Sequence, residues 1–162
     1  MKITFETATV DNAFEITELL NTVTLQLHHK SIMQWEYPWD QNSIENDVLS
    51  NLVEMLLDNG RIIATFSISP LRSNPWASEN FVDALYMYHI AIHPDYQGYG
   101  IGKQIMQHAT GFGLAQKKNI YLDCWAGNTK LKNFYTESGF EYIGDFPEKD
   151  YRISAFCFYC RL

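Results

Sequence analysis

The sequence predicts an α/β (α+β) protein built on a central sheet of six or seven strands. Three observations carry that prediction. Short β-rich runs and apolar stripes at helical spacing alternate in the order β-α-α-β-β-β-α-β-α-β-β. Asp58-Asn59-Gly60 joins two of the β-rich runs, and Asn-Gly is a strong hairpin signal. Late in the chain an apolar run, Tyr86 to Ile92, passes through a glycine loop directly into a helical pattern.

Residues 2–8 alternate as a first strand. Asp11 is a suitable helix N-cap, and Ile16, Leu19, Leu20, Val23 and Leu27 recur at helical spacing over about 12–29. His28 and His29 close that helix, where a cation suits the dipole; neighbours on a helix do not face one another, which argues against a metal pair. Residues 30–42 form an aromatic connection containing Trp35, Tyr37, Pro38 and Trp39, suited either to packing or to lining a cleft. Ser43 is a candidate cap for a short second helix. Val53–Leu57 and Arg61–Ser69 are the hairpin strands. Residues 70–80 read as a loop. The run 84–93 is apolar on both faces, as in a covered strand. The next helix carries Ile101, Ile105, Ala109 and Phe112 on one face. A strand over 119–125 follows, then a helix from Asn128 or Thr129 with Leu131, Phe134 and Tyr135 inward and Gly139 as C-cap. Strands at 140–143 and 153–159 close the chain. With no repeat or linker, residues 1–162 read as a single domain.

The chain has 162 residues, 46% of them hydrophobic and 19% charged, which suits a globular protein with a sizeable core. Its net charge of −7 offers no basic stripe to track phosphates and argues against a nucleic-acid partner. No apolar run is long enough to span a membrane, and Met1–Glu6 lacks a signal-peptide core, so the expected compartment is the cytoplasm. Three cysteines, an odd number, suit a reducing environment. Cys157-x-x-Cys160 lies in a strand-like run where its members point to opposite faces, and no second pair completes a metal site. No metal is expected.

The glycine loop carries the chemistry. Gln97-Gly98-Tyr99-Gly100-Ile101-Gly102-Lys103 opens a helix whose first four N–H groups lack internal partners. The dipole there favours an anion, and glycine lets the backbone approach one closely. The result is a pocket for phosphate or pyrophosphate. Gly102-Lys103 is followed by Gln104, not Ser or Thr, so this is not a nucleotide-triphosphatase loop. The G-x-G-x-G spacing is not the dinucleotide fingerprint either. Preceded by Ile90-Ala91-Ile92-His93-Pro94, the segment resembles the acyl-coenzyme A loop, Q/R-x-x-G-x-G/A, of the GCN5-related N-acetyltransferase (GNAT) family, with Gln97, Gly100 and Gly102 in its defined positions. A second stretch, Asn128-Thr129-Lys130-Leu131-Lys132-Asn133-Phe134-Tyr135-Thr136-Glu137-Ser138-Gly139-Phe140, is similar to that family's N-x-x-A/L-x-x-F-Y-x-x-x-G-F segment. Ser31-Ile32-Met33-Gln34-Trp35 with Pro38-Trp39 resembles a G-I-x-Q-W…P-W segment of some bacterial members, Ser31 departing from the glycine.

The resemblance implies an acyl-CoA N-acyltransferase fold: a mixed, largely antiparallel sheet flanked by helices on both faces and splayed near the cofactor. It implies acetyl-coenzyme A as cosubstrate and direct acetyl transfer to an amine of a small molecule or protein. A non-catalytic acyl-coenzyme A sensor is the alternative. By the same resemblance, amides from Gln97 to Lys103, including Gly98, Tyr99, Gly100, Ile101 and Gly102, hold the pyrophosphate. The backbone of Ile90, Ala91 and Ile92 pairs with the pantetheine arm, and the N–H of Ile92 or a neighbour faces the thioester oxygen. Asn128 touches the arm, and Tyr135 protonates the leaving thiolate. For Lys103 a solvated helix lysine is the competing reading. The strand before the loop lacks the glutamate that many members use as base, which leaves His89, Glu36, Asp83 or water. The aromatic segment 35–39 and loop 70–82 are expected to shape the acceptor pocket. The protein is expected as a monomer or homodimer.

Overall fold

The computed structural model describes residues 1–162 other than Met33, residues 72–83 and Leu162. In chain order the elements are β1 (Ile3–Thr7), α1 (Ala13–His29), α2 (Gln41–Leu49), β2 (Val53–Asp58), β3 (Arg61–Pro70), β4 (Leu85–Ile92), α3 (Ile101–Gln116), β5 (Ile120–Trp125), α4 (Thr129–Glu137), β6 (Glu141–Glu148) and β7 (Tyr151–Phe158). Short 3₁₀ turns occupy Val10–Asn12 and Pro94–Tyr96. The sheet has seven strands in the order β1-β2-β3-β4-β5-β7-β6. The β1/β2, β2/β3, β5/β7 and β6/β7 pairs are antiparallel, and β4/β5 is parallel. The expected mixed, mostly antiparallel α/β architecture is therefore the observed one. The chain divides into two compact units, residues 1–68 with 89–102 and residues 69–88 with 103–162.

The first unit is built on the β2–β3 hairpin. Asn59 and Gly60 both have positive φ, 50° and 81°, the turn geometry that matches strand twist and that Asn-Gly supplies at low cost. β1 adds to β2 with Phe5 opposite Leu56. The helical stripe falls as its spacing predicts: Ile16, Leu19, Leu20 and Val23 are buried and pack with Ile44, Val48, Val53 and Met55. Each such side chain stabilises the fold by roughly 1.5–3 kcal/mol. Two caps differ from expectation. Asp11 lies inside the 3₁₀ turn, where Asn12 Oδ1 accepts the Thr9 N–H at 2.9 Å and α1 begins at Ala13. α2 is capped by Asp40, which accepts from Asn42 N–H at 3.1 Å and Ser43 Oγ at 3.2 Å; a carboxylate outcompetes the hydroxyl two residues into the helix.

In the second unit β5 lies between β4 and β7. Tyr121 faces Cys157, Asp123 faces Ala155 and Trp125 faces Ile153 across the β5/β7 ladder. These residues share one face of the sheet, because alternate strand residues point the same way. Leu122, Cys124 and Phe156 share the other. β6 and β7 form a hairpin closing at Glu148 opposite Tyr151, longer than the expected 140–143 and 153–159. α3 buries Ile101, Ile105 and Ala109 as expected, but Phe112 is 42% exposed. The stripe continues four residues on, at Gly113, where an added Cβ would lie 2.8 Å from Ile120 Cδ1. The helix comes too close to β5 there for any side chain, which turns Phe112 outward. Gly139, φ 96°, follows α4 as predicted.

Candidate active site

The glycine loop is fastened before it reaches its glycines. His93 caps the Pro94–Tyr96 turn, its Nδ1 accepting the Asp95 N–H at 3.1 Å, and its own N–H donates to Ile63 O at 2.8 Å. The Tyr96 hydroxyl donates to Asp58 Oδ2 at 3.0 Å. Gln97 Nε2 donates to the Ile92 carbonyl at 3.0 Å and to Gln26 Oε1 at 2.9 Å, tying the strand end to α1. The Gln97 N–H is itself engaged, donating to Pro94 O at 3.3 Å. Gln97 thus acts on the shape of the loop through both side chain and backbone. Gly98 and Gly100 then take φ of 85° and 79°, with nothing within 4 Å of where a Cβ would stand. The glycine requirement is conformational, not steric. Tyr99 between them is 64% exposed, while Ile101 is buried and seats the first turn of α3. Gly102 is half-buried and Lys103 exposed. Lys103 borders a shallow groove with Met106, Thr110, Phe134 and Glu137.

Within β4, Ala91 is buried and packs into the first unit's core, while Ile90 and Ile92 are half-buried. His89, just before them, has φ 52°, a left-handed conformation in the middle of a strand. A non-glycine residue there carries strain of order 1–3 kcal/mol, and such outliers concentrate at functional sites. The boundary between the two units falls at this residue. Ile90 through Gly102 belong to the first unit, and Lys103, Asn128 and Tyr135 to the second.

Asn128 is the N-cap of α4, its Oδ1 accepting the Leu131 N–H at 3.2 Å. Tyr135 is 3% exposed, its ring set among Phe134, Phe140 and Phe156 at centroid distances of 5.8, 6.3 and 5.7 Å. Its hydroxyl makes no hydrogen bond with a described residue. Burial, with the nearby Cys124 and Asp123, pushes its pKa well above the ordinary phenol value. The hydroxyl is therefore held in its protonated form. Phe140 is core at 2% exposure, whereas Phe134 is half-buried at the groove.

Two residues that the sequence did not single out complete the second unit's polar centre. The Tyr86 hydroxyl donates to Asp123 Oδ1 at 2.9 Å, and the Tyr86 ring stacks on Tyr88 at 5.4 Å. Burial raises the Asp123 pKa, and Glu148 adds to the rise; the Tyr86 hydrogen bond opposes it. Burial and then Asp123 raise the Tyr86 pKa. A signal for Asp123 was present: it is the single carboxylate in Ile120-Tyr121-Leu122-Asp123-Cys124-Trp125, and carboxylates are rarely buried without purpose.

Among the expected base candidates, His89 is half-buried, its ring edge-on to Trp39 at 4.7 Å and Trp35 at 6.4 Å. Burial lowers its pKa to about 4. Such an imidazole is neutral at neutral pH but weakly basic. Glu36 is exposed, and Asp83 lies outside the described residues. The aromatic connection packs: Trp39 Nε1 donates to Thr24 Oγ1 at 2.7 Å, and Trp35 and Trp39 lie against the first unit's core. Most of the expected acceptor loop 70–82 also lies outside the described residues. Cys124 and Cys157 are buried thiols and Cys160 is half-buried. Among the described residues no group of three or more His, Cys, Asp or Glu is placed to hold a metal. No described helix is long and apolar enough to cross a membrane.

A family model described as Acetyltransferase (GNAT) family matches residues 15–140. A curated relative from Bacillus subtilis (strain 168), named uncharacterized N-acetyltransferase YesJ, is 26% identical over 145 residues, covering 85% of this chain and 81% of that protein. Among solved structures, a GNAT-family acetyltransferase from Listeria monocytogenes 4b F2365 superposes with a TM-score of 0.77 at 20% identity, over 96% of this chain and 93% of that one. The putative acetyltransferase yncA from Salmonella typhimurium, solved with its cofactor acetyl-CoA, gives a TM-score of 0.77 at 17% identity, over 100% and 96%. The fold is theirs.

Proposed function

The chain belongs to the GNAT family of acetyltransferases, and on that premise we propose that it moves an acetyl group from acetyl-coenzyme A directly to a primary amine of a small molecule or protein. One observation supports this more than any other: a strand whose end is tied by Gln97, two glycines held at positive φ, and a 16-residue helix immediately after them. Backbone amides from Gly98 to Lys103, with the first turn of α3, would bind the pyrophosphate. Gln97 keeps the loop in register for them. The backbone of Ile90, Ala91 and Ile92 would pair with the pantetheine arm like an added strand, and an N–H at Ile92 would face the thioester oxygen. Asn128 would meet the arm at the start of α4. Tyr135 would donate its proton to the departing sulfur; a hydroxyl not engaged by any described residue supports that role. Holding both reactants in line supplies roughly 7–11 kcal/mol of such a barrier without a covalent enzyme intermediate.

On this reading residues 1–162 act as one N-acetyltransferase domain in the cytoplasm, where three unpaired thiols are at home. The test is acetyl-coenzyme A binding by calorimetry and thermal melting. At about 100 times its dissociation constant the ligand should stabilise the fold by about 2.7 kcal/mol. Gly100→Ala, which forces a Cβ onto a φ of 79°, should weaken binding about tenfold while Tyr135→Phe leaves it unchanged. Wild-type protein that does not bind acetyl-coenzyme A would remove the basis of the reading.

A further inference from the structure

We propose that the Tyr86–Asp123 pair is the station for the acceptor's ammonium group, that Asp123 takes its proton, and that with Glu148 the site selects amines bearing a second positive charge over amines bearing an acidic group. The inference rests on the acetyltransferase reading above and adds to it the acceptor class and the base.

The placement comes from strand register. β4 and β5 pair in parallel at Leu85↔Ile120 and Tyr86↔Tyr121, and the pairing stops there although both strands continue. Asp123 is the next residue beyond on the face that carries Tyr121, so it stands where the two strands cease to be joined. Tyr86 reaches along that face to hold it at 2.9 Å. The same face carries the stacked Tyr86 and Tyr88, and Phe146 and Tyr151 pack nearby. Tyr151 stands opposite Glu148 at the end of the β6–β7 hairpin. Stacked phenol rings and two carboxylates form a surface that attracts cations. The charged neighbour that acts on both Tyr86 and Asp123 is Glu148, of the same sign, so an anionic acceptor would meet only repulsion from it.

A second observation points to a ligand here. Tyr135 packs on Phe156, which belongs to the opposite face of the β5/β7 ladder. Its hydroxyl has no hydrogen-bond partner among the described residues, and it lies within electrostatic reach of Asp123. A proton acceptor on one face and a proton donor on the other suit a transfer in which the amine enters as the thiol leaves. The ammonium gives one proton to Asp123, which passes it to solvent. The N–C bond then forms as the C–S bond breaks. The second N–H proton is lost to solvent, Tyr135 protonates the sulfur, and solvent restores the phenol. One proton is released per turnover.

The experiment measures thiol release with 1,4-diaminobutane and with 4-aminobutanoate, alongside acetyl-coenzyme A binding. Wild type should favour the diamine by about tenfold or more in kcat/KM, and Glu148→Gln should shrink that ratio. Asp123→Asn should lose about 100-fold with the diamine but less than about tenfold with an alkoxyamine, which is already unprotonated at neutral pH, while acetyl-coenzyme A affinity is kept. A merely structural Asp123 would depress both acceptors alike. Preference for 4-aminobutanoate, no turnover of either acceptor by protein that binds acetyl-coenzyme A, or equal losses with diamine and alkoxyamine would each overturn the inference. Failure to bind acetyl-coenzyme A would instead strike the acetyltransferase reading beneath it.

Discussion

His89→Asn should remove a specific acid sensitivity from the fold. His89 is half-buried against Trp39 and Trp35, and burial lowers its pKa from 6.5 to about 4. Between those values the unfolded chain binds a proton that the folded chain refuses, so stability rises with pH across the window. The contribution is complete above pH 6.5 and is lost as pH falls toward 4. For two pKa values about 2.5 apart, the loss between neutral pH and pH 5 works out at about 2 kcal/mol. Asparagine suits the position because it tolerates the left-handed φ of 52° better than most residues and does not titrate. The assay is urea unfolding of wild type and variant at pH 7.5 and pH 5, analysed for midpoint and slope. Wild type should lose about 2 kcal/mol more than His89→Asn over that interval, with unchanged slopes. Equal losses would refute the reasoning, since His89 would then titrate alike in both states. The same depressed pKa makes His89 a weaker base than a free imidazole.

Tyr135→Phe keeps the buried ring and removes a hydroxyl with no partner among the described residues, so melting should change little. Turnover should fall about 100-fold with acetyl-coenzyme A affinity intact, read by thiol release and calorimetry. Gly113→Ala should cost about 1–3 kcal/mol, seen as a lower urea midpoint, because its Cβ would lie 2.8 Å from fully buried Ile120 and 3.1 Å from the Lys118 carbonyl.

What could be read in the chain depended on how local the cause was. The hairpin at Asn59-Gly60, the start of α4 at Asn128 or Thr129 and the left-handed Gly139 are set by a few neighbouring residues, and all appear where the sequence puts them. Caps were harder where two candidates stood close: Asp40 holds α2 although Ser43 also qualifies, since both lie within one turn of the helix start. Phe112 leaves the buried stripe for a different reason. Helical periodicity allows either a three- or a four-residue step after Ala109, and only the approach of β5 to Gly113 decides between them. That approach is a tertiary fact.

The candidate site divides along the same line. Gly98 and Gly100 announce themselves by residue type, because few other side chains hold their φ. Asp123 does not, since a carboxylate in an apolar strand becomes chemically distinct only when Tyr86 from another strand is brought to 2.9 Å and solvent is withdrawn. His89 shows the converse: its reference pKa recommends it as a base, and the two tryptophans packed on it remove that qualification. A base for amine chemistry must be sought among groups whose surroundings, taken together, raise their pKa. Burial works in that direction on a carboxylate and against it on an imidazole, so one physical cause weakens His89 as a base and strengthens Asp123.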